Sequence, residues 1–147
     1  MSKQAVVMRQ GEGEALSVLG TAVRFLCPSE KTGKSWSMME VTLPRHAGPP
    51  SHDHPWDEAY YVVEGEVRFG MGGREVLAKA GDFLYAPGGT LHSFQGASER
   101  PARVLIFDAP AHAESFFRDV DREVKEMPRD LAKVPEIGQR HQIRFVR

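Results

Sequence analysis

The chain has one cysteine, Cys27, in 147 residues, which excludes an internal disulfide and a structural zinc site built on thiolates. It has no excess of either charge, with 19 Lys and Arg against 20 Asp and Glu and a formal net charge of −1. Nucleic acid is therefore not an expected partner. No apolar run approaches the length of a membrane span, and the short stretch Ala5 to Met8, followed by Arg9, is too brief for a signal peptide. The expected location is the cytoplasm, with no membrane partner. The Gly33-Lys34-Ser35 triplet has Pro28 where a phosphate-binding loop needs its first glycine, so that reading is dropped. There is no internal repeat, no low-complexity segment, no helix-turn-helix pattern ahead of the strands, and no Arg/Lys cluster beside the histidines to hold a phosphorylated sugar.

What the chain does have is short alternating segments punctuated by glycine. Hydrophobic content of 41% and charged content of 27% are those of an ordinary globular protein, and the length suits one domain, residues 1–147. Strands are expected over Thr21 to Cys27, Trp36 to Leu43, Glu58 to Val63, Glu66 to Met71, Arg74 to Ala80, Phe83 to Ala86, the stretch beginning at His92, and Arg103 to Asp108. Glu64-Gly65 and Gly72-Gly73 read as hairpin turns. Both parities of Trp36 to Leu43 contain apolar residues, so the inward face of that strand is open. Cys27 is expected to be a buried small hydrophobe. From Ala113 the period changes: Ala113, Phe116, Phe117, Val120 and Val124 follow helical spacing, predicting an amphipathic helix packed on the outside of the strands, with Phe116 and Phe117 as packing residues. Met127 to Gly138 carries two prolines and should hold only short helical turns, while Ile143 and Phe145 alternate with charges as an edge strand of this chain or of a partner. Many short strands and little helix describe an all-β barrel or sandwich, about residues 15–110, with a C-terminal helix and tail over about 111–147.

Chemistry concentrates between Gly48 and Gly96. His52 and His54 are two apart, so on extended backbone their imidazoles share a side; Glu58 follows at the head of a strand, and a Pro-Gly-Gly turn delivers His92. Three imidazoles and a carboxylate form an N and O donor set suited to one divalent ion of Fe, Mn, Ni, Zn or Cu. Four protein ligands leave room for a substrate on a five- or six-coordinate ion, the layout of a catalytic site rather than a closed structural one. Asp53 and Asp57 fall on the parity pointing away from the ligands, and His46, His112 and His141 read as surface residues. Trp56, Tyr60, Phe94, Trp36 and Met38 are the candidates for an apolar substrate pocket.

These residues form HxH(x)3E(x)6G over His52, His54, Glu58 and Gly65, then G(x)5PxG(x)2H over Gly81, Pro87, Gly89 and His92. The pattern resembles the two-part signature of the cupin superfamily, in particular its small bacterial members related to quercetinase, over about residues 36–108. Two positions depart from the family pattern: His46 stands where a glycine is usual, with Gly48 nearby, and Gly96 stands where asparagine is common. The resemblance implies a cupin-type β-barrel (double-stranded β-helix, or jelly roll) with a short C-terminal helical extension. It implies metal held by His52, His54, Glu58 and His92, with Glu58 also a catalytic proton acceptor. It further implies a homodimer and a metal-dependent dioxygenase acting on a small enol- or catechol-like substrate. The alternatives are a non-catalytic metal- or ligand-binding cupin and a metal-dependent isomerase or epimerase.

Overall fold

The alternation read from the sequence becomes eleven strands in the computed structural model, which describes residues 3–146. In chain order they are β1 (Ala15–Val18), β2 (Thr21–Cys27), β3 (Ser37–Leu43), β4 (His52–Asp53), β5 (Asp57–Glu64), β6 (Glu66–Met71), β7 (Arg74–Lys79), β8 (Phe83–Ala86), β9 (His92–Gly96), β10 (Ala102–Ala109) and β11 (Arg144–Phe145). They form two antiparallel sheets, one ordered β1-β2-β3-β10-β5-β8 and the other β11-β4-β9-β6-β7, facing each other as a cupin-type barrel. Two helices follow the barrel, α1 (Ala113–Glu123) and α2 (Val134–Arg140), with 3-10 turns at Ser29–Lys31 and Arg129–Lys133. No helix of the described residues is long and apolar enough to cross a membrane.

The period of two decides what fills the interior. Met39, Val41 and Leu43 of β3, Tyr60 and Val62 of β5, Val67 and Phe69 of β6, and Val104 and Ile106 of β10 all point inward and are buried. This settles the parity of β3: Ser37 and its odd-numbered partners face in, so Met38 and the preceding Trp36 lie on the outer side, where Trp36 stacks on Phe107 with ring centroids 5.5 Å apart. On the same outer face, exposed rings of Tyr61, Phe83 and Tyr85 stand on β5 and β8.

Gly72-Gly73 is the expected hairpin, both glycines having positive φ between the register partners Met71 and Arg74. Gly65 is not a hairpin turn. β5 pairs with β10 and β8, whereas β6 pairs with β7 and β9, so the Gly65 kink hands the chain from one sheet to the other. Its φ of +78° is still one that glycine adopts without strain.

The C-terminal extension departs from the expectation in where it docks. Helix α1 buries Ala113, Phe116 and Val120, the stripe read from the sequence, but part of that stripe covers the end of the barrel that holds the histidines. An apolar stripe specifies that a face is buried and leaves its partner open. The helix is tied to β1 by Asp121, which accepts the Ser17 N–H at 2.8 Å, and to the segment after α2 by the His141–Asp119 contact at 2.6 Å. His141 is therefore half-buried and paired; His46 and His112 are exposed. β11 adds to β4 of this chain, with Phe145 opposite His52. Cys27 is only half-buried, since it ends β2 at the barrel rim.

Candidate metal centre

Strand pairing builds the site from both sheets. Register places His52 of β4 directly opposite His92 of β9, with ring centroids 4.2 Å apart, and His54 follows one residue beyond β4. Glu58 enters from β5 in the other sheet. The Pro-Gly-Gly turn is folded against the ligand loop: the Gly89 N–H donates to the His54 carbonyl at 2.8 Å, and a Cβ on Gly88 would lie 2.2 Å from the Pro55 oxygen. His46, at the usual glycine position, takes a left-handed φ of +69° itself, and the close backbone contact falls to Gly48. Its φ is +147°, and a Cβ there would sit 1.9 Å from the Phe94 oxygen. The close approach is made two residues later. Gly96 likewise leaves no room for a side chain, with the Pro44 oxygen 2.4 Å from its would-be Cβ.

Each imidazole is oriented by a backbone carbonyl two residues away. The Nδ1 atoms of His52, His54 and His92 contact the carbonyls of Pro50, Trp56 and Thr90 at 2.8, 3.1 and 2.7 Å. A carbonyl only accepts, so each Nδ1 carries the proton and each Nε2 presents a lone pair. Donor atoms of the three buried rings lie within 4.8 Å of one another, a group able to hold a metal ion. Glu58 stands at the edge of this group, its oxygens 3.4 Å from His54 Nε2 and 3.5 Å from His92 Nε2. Among the described residues, buried Nε2 of His54 and of His92 has no hydrogen-bond partner. Buried polar atoms are rarely left so, and oriented lone pairs converging on one point fit a divalent transition metal.

The charges around Glu58 are sorted by burial. The Tyr60 hydroxyl donates to Glu58 Oε1, and burial together with that carboxylate pushes the Tyr60 phenol well above its usual range. Burial works against an ionised Glu58, but the His54 and His92 imidazoles beside it outweigh that and hold the carboxyl well below its ordinary value. Burial drives His52 down to about 4, with His92 beside it adding to the effect. For His92, burial acts downward too, yet the Glu58 carboxylate outweighs it and raises the imidazole.

Sequence reasoning missed Asp108. It is fully buried opposite Glu58 on β10, neither of its oxygens has a hydrogen bond of good geometry, and burial beside Glu58 raises its carboxyl well above the usual range. A signal was available, because Asp108 sits on the inward parity of Ala102, Val104 and Ile106. An acid on an apolar parity is costly unless it stays protonated or paired.

Around the donors the wall is apolar. His52, His54, Trp56, Glu58 and Phe94 border a cavity of about 40 Å³, closed by Phe116 and Phe117 of α1 and by Ile143 and Phe145 of the C-terminal segment. Trp56 is buried and stacks on His54, 4.1 Å between centroids and 7° between planes. Tyr60 packs behind Glu58 against Phe69 and Phe94. Of the pocket candidates, Trp56 and Phe94 border the cavity, Tyr60 lies behind Glu58 and off its lining, and Trp36 and Met38 are kept away because their parity faces out. Phe116 and Phe117, read as packing residues only, line the cavity. Asp53 and Asp57 do point elsewhere, Asp53 to Arg144 and Asp57 to the Gly88 N–H.

The family model for a cupin domain matches residues 39–108. The chain is 27% identical to quercetin 2,3-dioxygenase of Bacillus subtilis over 76% of its own length, but it spans only 33% of that protein. It is also 27% identical to the tetracenomycin polyketide synthase protein TcmJ of Streptomyces glaucescens, over 94% of this chain and 87% of that one. Among solved structures, KdgF from a Halomonas species superposes with a TM-score of 0.66 at 21% identity, covering 74% of this chain and 96% of KdgF. The two antiparallel sheets, the two-part motif and the converging histidines agree with the family-model match, which identifies a cupin domain over residues 39–108 of this chain.

Proposed function

We propose that His52, His54, Glu58 and His92 hold one divalent transition-metal ion, and that the protein is a metal-dependent, dioxygenase-like enzyme acting on a small enol- or catechol-like substrate. The observation that carries this reading is the convergence of three oriented Nε2 lone pairs and the Glu58 carboxylate beside a small cavity with mostly apolar walls. The ion, when bound, supplies Lewis acidity to a substrate oxygen and, if redox-active, electrons for dioxygen chemistry.

The chain's own residues do the rest. The carbonyls of Pro50, Trp56 and Thr90 keep the imidazoles in one tautomer and one orientation. Tyr60 holds Glu58 through Oε1, leaving Oε2 as the atom that takes the substrate's hydroxyl proton. A carboxylate is a weak base, so a hydroxyl that gives it a proton must be an acidic one, which favours enols and catechols over simple alcohols. The phenylalanines of the wall exclude bulk water, which would otherwise compete for reactive intermediates.

One observation favours a second reading. The match to TcmJ covers most of both chains, whereas the dioxygenase match covers a third of that enzyme. The second reading is an isomerisation of a polyketide-like enol at the same centre, without dioxygen. The test is an oxygen electrode with protein loaded in turn with Fe, Mn, Ni, Cu or Zn and offered flavonols, diketones and catechols. Oxygen uptake tied to substrate loss supports the dioxygenase reading. Substrate conversion under argon supports the second. Neither with any metal refutes both.

A further inference from the structure

A cavity of about 40 Å³ beside the donors has room for about three waters and for no ring-bearing substrate. If the metal centre acts on such a molecule, one wall must yield. The barrel strands are locked in two sheets, and α1 is pinned to β1 and to the segment after α2. Besides Pro49 of the loop before β4, the remaining wall is β11, two residues long, paired with β4 at Arg144–Asp53 and Phe145–His52 and held at its exposed side by the Arg144–Asp53 ion pair and by the Val146 N–H on the Ser51 carbonyl at 2.9 Å. Its Phe145 ring stands 5.5 Å from His52 and 6.0 Å from Phe116 on the cavity side.

On its other side lies a second space. An open groove of about 710 Å³ runs between the β1–β2 turn, the loop after β3 and the C-terminal helices. Phe145 lines both the groove and the cavity, and the adjacent loop residues Gly48 and Pro50 face the groove while Pro49 faces the cavity. The groove is within the size of small-molecule sites and is mostly apolar, with Leu19, Leu131, Val134 and Val146 among its walls. Arg45 and His46 stand at one side, and Arg45 makes no ion pair with any described residue.

We infer that this groove is the binding site of the substrate's body and that Phe145 on β11 is the gate through which its reactive end reaches the histidines. The occupant is a planar, largely apolar small molecule bearing an anionic oxygen, the apolar walls taking its rings and Arg45 its charge. The inference rests on the metal-centre reading, but its groove half is measured without metal.

The metal-free full chain is titrated with 2-naphthoate and followed by backbone amide resonances. Shifts centred on Gly20, Ala47, Leu131 and Val146 are expected, and Arg45→Ala should weaken binding about tenfold. Shifts elsewhere, no shifts, or shifts that follow protein concentration as for a second copy of the chain would overturn the site. For the gate, Asp53→Cys with Arg144→Cys in a Cys27→Ser background staples β11 to β4, a register pair whose separation suits a disulfide. Stripping of bound Co²⁺ by EDTA should slow about tenfold on oxidation and recover on reduction, while Phe145→Ala should speed it. Equal rates in all these forms remove the gate. A native chain that takes up no Co²⁺ refutes the metal-centre reading instead, and the gate with it.

Discussion

Glu58 and Asp108 face each other across the β5–β10 ladder, both buried inside the barrel, and their surroundings push the two carboxyls in opposite directions, Glu58 down and Asp108 up. The imidazoles of His54 and His92 hold Glu58 as the carboxylate, and its charge, with burial, keeps the proton on Asp108. Two buried carboxyls in contact settle into this split because ionising both would leave like charges unscreened.

Replacing Asp108 by Asn tests the split. A folded carboxyl raised above its ordinary 3.8 binds more protons than the unfolded chain, so its contribution to stability declines as pH rises above that value. Glu58 has the opposite sign, its contribution being present above 4.5 and lost on acidification. Asp108→Asn removes the first effect and keeps an N–H donor next to Glu58, whose carboxyl Asp108 also helps to hold down. In urea unfolding of metal-free protein, the variant should gain on the native chain between pH 4.5 and pH 7. A variant that instead loses ground over that range would show Asp108 to be ionised.

The histidines should titrate apart. His52, lowered from 6.5 to about 4, resists protonation in the fold, and the stability this represents, about 3 kcal/mol, is lost as pH falls through that window. His92 is raised, so its contribution is present below 6.5 and lost as pH climbs through its folded value. The opposed signs blunt any global stability curve, and ring-proton resonances of metal-free protein resolve them. His92 should titrate above the ordinary range and His52 near 4, and the reverse order would contradict the assigned surroundings.

Tyr60→Phe removes the hydroxyl that donates to Glu58 and leaves the ring packing on Phe69 and Phe94 in place. Loss of about 2 kcal/mol of stability is expected, as for a hydrogen bond to a charged group. Metal affinity should fall about tenfold, the usual effect of removing a group that orients a ligand. Unchanged affinity in a competition titration would mean that Tyr60 does not position Glu58.

Gly48→Ala should cost at least about 2 kcal/mol in thermal or urea unfolding. Its φ and the 1.9 Å approach to the Phe94 oxygen leave no place for a methyl group. A variant of native stability would mean that the loop after β3 runs differently.

The ligand cluster was legible because most of it is local: His52, His54 and Glu58 lie within seven residues, and the Pro-Gly-Gly turn announces His92. The strand pattern was legible for the same reason, each strand carrying its own alternation. What the sequence left open depends on which element meets which. Both parities of β3 contain apolar residues, so only the fold shows that Trp36 and Met38 face out. Gly65 reads as a turn in either topology, and the sheet that receives β6 is decided by pairing with β9. The stripe of α1 declares a buried face without declaring that Phe116 and Phe117 close a cavity. Asp108 passed as a strand end, because its partner Glu58 is fifty residues away in the chain.

The most direct test of the metal centre is elemental analysis of untagged protein beside the His52→Ala, His54→Ala double variant. About one transition-metal ion per chain in the native protein, and its loss in the variant, is the expected result. No metal in the native protein after reconstitution, or equal metal in both, would contradict it.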